Sequence, residues 1–201
     1  MALKALFTDI GGVLLTNGWG SKGREKAAQH FQLDLAEMTE RHHLTFDTYE
    51  IGKLSLEDYL KRIVFYEPRA FSMDDFREFM FTLSQPYPEM LTLLRDVKAR
   101  HKLKVAVISN EGRELTEYRI RQFGLGDFVD FFVSSCFVHF RKPDTEIFKM
   151  AIDMAQVPLS QAVYIEDRPL FAEVSNGLGL QAILHRSYKE TKAALAALGI
   201  D

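Results

Sequence analysis

Cysteine is nearly absent: Cys136 is the one thiol in 201 residues. An internal disulfide is excluded, no Cys/His spacing suggests zinc, and a reducing cytoplasm is the expected compartment. Cys136 itself lies in the apolar stretch 131–140 and reads as a buried bystander. Long apolar runs are missing too. The run Leu3–Phe7 contains Lys4 and soon meets Asp9, too short for a signal segment or a membrane span, so no membrane partner is expected. Charge of either sign is not in marked excess: 25 Lys and Arg face 28 Asp and Glu, with no basic stripe, which argues against nucleic acid as a partner. Internal repeats, coiled-coil heptads and low-complexity tracts are also missing, so a monomer and a homodimer are both open. What is present is a globular composition, 47% hydrophobic and 26% charged, with 16 phenylalanines spread along the chain as core material. The length suits one α/β domain with an insertion, or two small domains.

Five short β-rich runs stand out: Ala5–Thr8, Val105–Ser109, Phe131–Ser135, Ala162–Ile165 and Gln181–Leu184. Helical periodicity fills the gaps between the later ones, over Pro88–Arg100, Glu114–Phe123, Asp144–Ala155 and Tyr188–Leu198, with Gly124 and Gly199 as stops. Alternating strands and helices predict an α/β fold, a Rossmann-like parallel sheet with helices on both faces. The alternation breaks between Thr16 and Gln85, a stretch that reads as helical, with Ser55/Asp58 and Ser72/Asp75 as N-cap signals. The expected organisation is therefore a core from 1–15 and 86–201, with a small helical cap, 16–85, inserted after the first strand. Residues 15–20 and 84–88 are its expected hinges.

Ligands of open parallel sheets bind beyond the carboxyl ends of the strands. There the sequence places Asp9-Ile10-Gly11-Gly12 after the first strand and Ser109-Asn110 after the second. Arg141-Lys142-Pro143 follows the third, and Glu166-Asp167 the fourth. Each alone has a plain structural explanation: a helix cap, a turn hydroxyl, a solvated lysine. Their joint occurrence at successive strand ends does not.

This ordered set resembles the haloacid dehalogenase (HAD) superfamily, over nearly the whole chain. Its four motifs look like Asp9 in Phe7-Thr8-Asp9-Ile10-Gly11, Ser109 in Ile108-Ser109-Asn110, Lys142 in Arg141-Lys142-Pro143, and Glu166-Asp167 ahead of Gly177 and Gly179. The insertion position is similar to the superfamily's helical first type of cap. The resemblance implies a phosphohydrolase acting on a small phosphorylated substrate. Asp9 would attack phosphorus, and Ser109 and Lys142 would hold phosphate oxygens. Mg²⁺ would sit on Asp9, the Gly11 carbonyl and Asp167, with Glu166 behind them or acting through water. Backbone N–H groups around Ile10–Gly12 and at Asn110 would add donors.

One position departs from that pattern. Where phosphatases of the superfamily usually carry an acid/base Asp two residues after the nucleophile, this chain has Gly11. That puts in question a contribution typically worth about 10²–10⁴-fold in rate. Three readings stay open. Another group or water supplies the proton, as in Asp-x-Gly branches resembling sugar-phosphate phosphatases. Alternatively the protein is a metal-free dehalogenase, or it binds ligands without turnover. Substrate choice is expected from the cap, where Asn17, Trp19, Arg24, His42, His43, Tyr49 and Glu50 are candidates. Asn17 and Trp19 are the best placed, although Trp19 serves equally well as packing. Lys22, Arg24 and Lys26 read as a solvated helix face, and His139 as structural.

Overall fold

The computed structural model describes residues 2–201. The chain runs β1 (Ala5–Thr8), then four helices, α1 (Ser21–Phe31), α2 (Leu35–Glu50), α3 (Leu56–Ile63) and α4 (Met73–Thr82). It continues as α5 (Pro88–His101), β2 (Lys104–Ser109), α6 (Arg113–Gln122), β3 (Phe131–Ser134), the one-turn α7 (Ser135–Val138) and α8 (Thr145–Ala155). The last elements are β4 (Ala162–Glu166), α9 (Pro169–Gly177), β5 (Gln181–Leu184) and α10 (Tyr188–Ala197). The expected third strand ran to Ser135. It stops one residue earlier, because Ser135 opens α7 and donates its hydroxyl to the Glu50 carbonyl at 2.7 Å.

The sheet is wholly parallel, in the order β3-β2-β1-β4-β5. Alternate residues of a strand face opposite sides, and both sides are covered. Leu6, Val105, Val107, Val163 and Ile165 pack with Met90, Leu94 and Val97 of α5 and Leu195 of α10. Ala5, Phe7, Ala106, Ile108 and Tyr164 pack with Ile147, Phe148 and Ala151 of α8. β1 is central. Thr8 pairs with Val107 on one side and Ile165 on the other, so the next residue, Asp9, emerges level with Ile108 and Glu166. The strand order reverses around β1, which opens the crevice in which such sheets bind ligands.

The four helices between β1 and α5 have their own apolar cluster, built on Trp19, Met38, Tyr59, Leu60, Phe76 and Met80. Ser55 and Ser72 cap α3 and α4, and Ser72 with Asp75 forms a capping box. A serine or aspartate cap is worth about 1 kcal/mol. The cluster extends onto Leu115 and Tyr118 of α6, so these helices dock on the sheet domain.

The two connections to this insertion lie side by side. Thr16 N–H donates to the Gln85 carbonyl at 2.8 Å, Gln85 N–H to Thr16 Oγ1 at 3.0 Å, and Thr16 Oγ1 to the Leu83 carbonyl at 2.8 Å. The fully buried Arg119 of α6 ties both: Nη2 donates to the Thr16 carbonyl at 3.2 Å and Nε to Ser84 Oγ at 3.0 Å. No helix among the described residues is long and apolar enough to cross a membrane.

Candidate active site

Asp9 stands at the floor of a cavity of about 370 Å³ between the strand ends and the helical insertion. Its carboxylate is buried and lies 2.9 Å from Lys142 Nζ. Lys142 is also buried and reaches Glu166 Oε2 at 2.6 Å and Tyr164 Oη at 3.0 Å. Burial opposes the Lys142 charge, but the carboxylates of Asp9 and Glu166 outweigh it, and the ammonium pKa is raised. Burial also raises the Asp9 carboxyl pKa, against the pull of Lys142. The loop that carries Lys142 is braced by Asn110, whose amide donates to the Lys142 carbonyl at 2.8 Å and accepts from its N–H at 2.7 Å. The Asn110 side chain is therefore a loop brace, and only its backbone remains for a ligand.

Carboxylate oxygens of Asp9, Glu166 and Asp167 lie within 4.8 Å of one another. Glu166 has both oxygens engaged: Oε1 accepts from the Arg168 N–H at 3.0 Å, and Oε2 holds Lys142 and Tyr164. Asp167 differs. Its Oδ2 accepts only a long 3.4 Å bond from Asn17, and its buried Oδ1 has no partner. An all-oxygen cluster with an orphaned carboxylate atom suits a hard divalent cation such as Mg²⁺. Ser109 and Gly11 line the same cavity.

The glycine turn is narrower in its uses than its sequence promised. Gly12 has φ +76°, and its N–H donates to the Leu15 carbonyl at 2.7 Å. A Cβ there would overlap the Asp167 carboxylate, so only glycine lets Asp167 approach. Ile10 N–H is taken by Asp9 Oδ1 at 2.7 Å. Of the three N–H groups from Ile10 to Gly12, Gly11's alone has no protein partner among the described residues.

The space beside Gly11 is occupied. A Cβ at Gly11 would have Asn17 Oδ1 at 2.9 Å and Arg119 Nη1 at 3.8 Å. Arg119 Nη1 forms a short ion pair with Glu111, which also lines the cavity and whose carboxyl is pushed up to about 7 by burial, against Arg119. Glu111 and Arg119 escaped sequence reasoning. Glu111 sits two residues past Ser109, but Arg119 lies two turns into a polar helix, and only the docking of the insertion buries it.

The other expected residues divide. Trp19 lines the cavity but is buried, donates Nε1 to Tyr59 Oη at 2.8 Å and packs edge-on to Phe76, so packing is its main role. Tyr49, Glu50 and His42 line the cavity, whereas His43 is exposed. Glu50 pairs with Arg141 Nη2 at 2.6 Å, and burial pushes its carboxyl up to about 7. Arg24 corrects the expectation of a solvated face: Lys22 and Lys26 are exposed, but Arg24 is buried and lines the cavity. His139 is structural as expected, its Nδ1 meeting the Ile51 carbonyl at 2.7 Å. Cys136 is buried, and burial raises its thiol pKa to about 11.

The family model for haloacid dehalogenase-like hydrolases matches residues 3–170. The chain belongs to that family. No curated protein matches its sequence. Among solved structures, a predicted HAD-like family hydrolase from Porphyromonas gingivalis is 16% identical over the whole of both chains, with TM-score 0.79. A HAD family enzyme from Bacteroides thetaiotaomicron in complex with magnesium and inorganic phosphate is 20% identical, with TM-score 0.73, over 92% of this chain and 95% of that one. A 2-haloacid dehalogenase from Pseudomonas syringae is 20% identical, with TM-score 0.63, over 91% and 86%. The HAD-like fold thus hosts more than one chemistry, and the site residues must decide between them.

Proposed function

We propose that this HAD-like hydrolase is a Mg²⁺-dependent phosphohydrolase of small phosphorylated metabolites, with Asp9 as nucleophile. The observation that carries this reading is the oxygen cluster of Asp9, Glu166 and Asp167, with Asp167 Oδ1 unpartnered and Lys142 beside Asp9. A metal-free dehalogenase has no use for that cluster. The magnesium and phosphate complex of the Bacteroides enzyme on the same fold supports the choice.

In this reading Asp9 Oδ attacks phosphorus, the bond to the leaving oxygen breaks, and an aspartyl-phosphate forms. Water then displaces phosphate from Asp9. Lys142 and the Ser109 hydroxyl hold the phosphoryl oxygens, and Lys142 offsets the repulsion between Asp9 and the incoming anion. Asp9, Asp167 and the Gly11 carbonyl hold Mg²⁺, and Glu166 fixes Lys142 from behind. Bound Mg²⁺ supplies positive charge where the transition state gathers negative charge. Residues 16–85 act as the cap, closing over the substrate and excluding water.

A second reading, binding without turnover, is favoured by one feature: the Asn17 amide, not a carboxyl group, stands closest to the space beside Gly11. A panel of aryl, alkyl and acyl phosphates assayed with and without Mg²⁺ separates the readings. Turnover that EDTA and Asp9→Asn both abolish supports the phosphohydrolase. Binding of Mg²⁺ and a phosphate mimic with no turnover supports the binding protein, and halide release from 2-haloacids without metal supports the dehalogenase.

A further inference from the structure

Resting on the phosphohydrolase reading, we infer that Arg24 binds a second oxyanion of the substrate, a carboxylate or a further phosphate, on the wall of the cavity that the helical insertion supplies.

The cations around the cavity point to it. Lys142 is paired with Asp9 and Glu166, Arg119 with Glu111, and Arg141 with Asp47 and Glu50. Arg168 is exposed to solvent. Arg24 is buried, and no carboxylate pairs with it among the described residues. Its Nη1 donates to the Trp19 carbonyl at 3.1 Å, and its Nε has no partner. The neighbouring Glu25 is exposed. Burial pulls the Arg24 pKa down, yet a guanidinium stays protonated in proteins. A buried cation without a counter-charge is strongly unfavourable unless a ligand provides one.

The surroundings of Arg24 add a second donor. Trp19 Nε1 donates to Tyr59 Oη at 2.8 Å, and Tyr59 Oη meets His42 Nδ1 at 2.7 Å. With the Tyr59 proton directed at Nδ1, the network assigns the His42 ring proton to Nε2. Burial, with Arg24 and His43 adding, pushes His42 down to about 3, so its ring is neutral. Arg24 and His42 both line the cavity and both offer N–H groups. The groups at the strand ends take the phosphoryl group, and Arg24 with His42 takes an oxyanion at the other end of a short molecule. A volume of about 370 Å³ is near the small end of ligand pockets, which run from about 300 to 1,000 Å³, and so favours a compact substrate.

Two matched pairs test this: 3-phosphoglycerate against glycerol 3-phosphate, and fructose 1,6-bisphosphate against fructose 6-phosphate. Binding is measured by calorimetry on Asp9→Asn protein with Mg²⁺, and kcat/KM on the wild type. The expected result is a preference of about tenfold or more for the member with the extra oxyanion in at least one pair. Arg24→Gln should bring that ratio to within about twofold of one, and Arg24→Lys should restore part of it. The Lys variant carries the test if the Gln variant does not fold. Equal use of both members of both pairs overturns the inference, as does a preference that survives Arg24→Gln. If binding shows the preference but the wild type turns over none of the four, the hydrolase reading fails and the Arg24 site stands. Turnover without preference gives the reverse.

Discussion

A Cβ placed on Gly11 would stand 2.9 Å from the Asn17 amide oxygen. Asn17 thus occupies part of the volume where phosphatases of this family usually hold an acid/base carboxyl group. The amide does not replace its chemistry, because a carboxamide neither gains nor loses a proton near neutral pH.

Restoring the carboxyl group therefore involves two positions. In Gly11→Asp alone the new side chain must displace the Asn17 amide, which also bonds Asp167, so its gain should be smaller than with Asn17 removed as well. Gly11→Asp with Asn17→Gly should hydrolyse an alkyl phosphate at least about tenfold faster than the single variant, within the usual range of general acid–base help. The comparison is made at saturating Mg²⁺, because Asn17 also bonds Asp167. Equal rates would show that the space beside Gly11 does not limit turnover.

Asp167, with its unpartnered Oδ1, should dominate the metal response. Mg²⁺ at a hundredfold excess over its Kd should stabilise the native protein by about 2.7 kcal/mol. For a chain of this size that raises Tm by roughly 5–10 °C. Asp167→Asn should shrink the shift to a degree or two. A variant that keeps the full shift would exclude Asp167 as a ligand.

Lys142→Met removes the cation between two buried carboxylates, which typically costs about 3–5 kcal/mol near neutral pH. Without Lys142, nothing offsets burial and the Glu166 carboxylate beside Asp9, and Asp9 binds its proton more tightly when folded. A carboxyl group with a raised folded-state pKa stabilises the fold at low pH and loses that contribution as pH rises. The deficit relative to wild type should thus be larger at pH 8 than at pH 5. Urea titrations at both values measure it, and a pH-independent deficit would contradict the pairing.

Glu50 makes a similar prediction for the wild type. Burial raises its carboxyl from 4.5 to about 7, with Arg141 and Lys142 opposing and Asp47 and Asp9 reinforcing. Its contribution is complete below about pH 4.5 and fades as pH climbs through about 7. Glu50→Gln cannot titrate. The Tm of the variant minus that of the wild type should therefore rise between pH 5 and pH 8. A flat difference would mean that Glu50 stays ionised throughout.

The sheet, the caps and the acidic rim were legible because each is written locally. Five short β-rich runs, Ser72 three residues before Asp75, and Asp9 or Glu166 at a strand end need no knowledge of distant chain. Asn110, Arg24 and Arg119 were not legible in the same way. Asn110 has the same sequence whether it faces phosphate or braces Lys142. Lys22, Arg24 and Lys26 look alike in sequence, and only the landing of α1 on its neighbours buries the middle one. Arg119 acquires Thr16 and Ser84 as partners only where the connections to the insertion pass over it, so its burial depends on residues up to 103 positions away.

Arg119 holds both chain crossings with one side and Glu111 with the other. On the proposed cap reading, Arg119 is the rivet between the helical insertion and the cavity wall beside Gly11. A swing of the helices would tug that wall, so substrate entry and the shape of the reacting end would be geared together. A substitution that loosens the rivet would free the swing and blur the site in the same stroke.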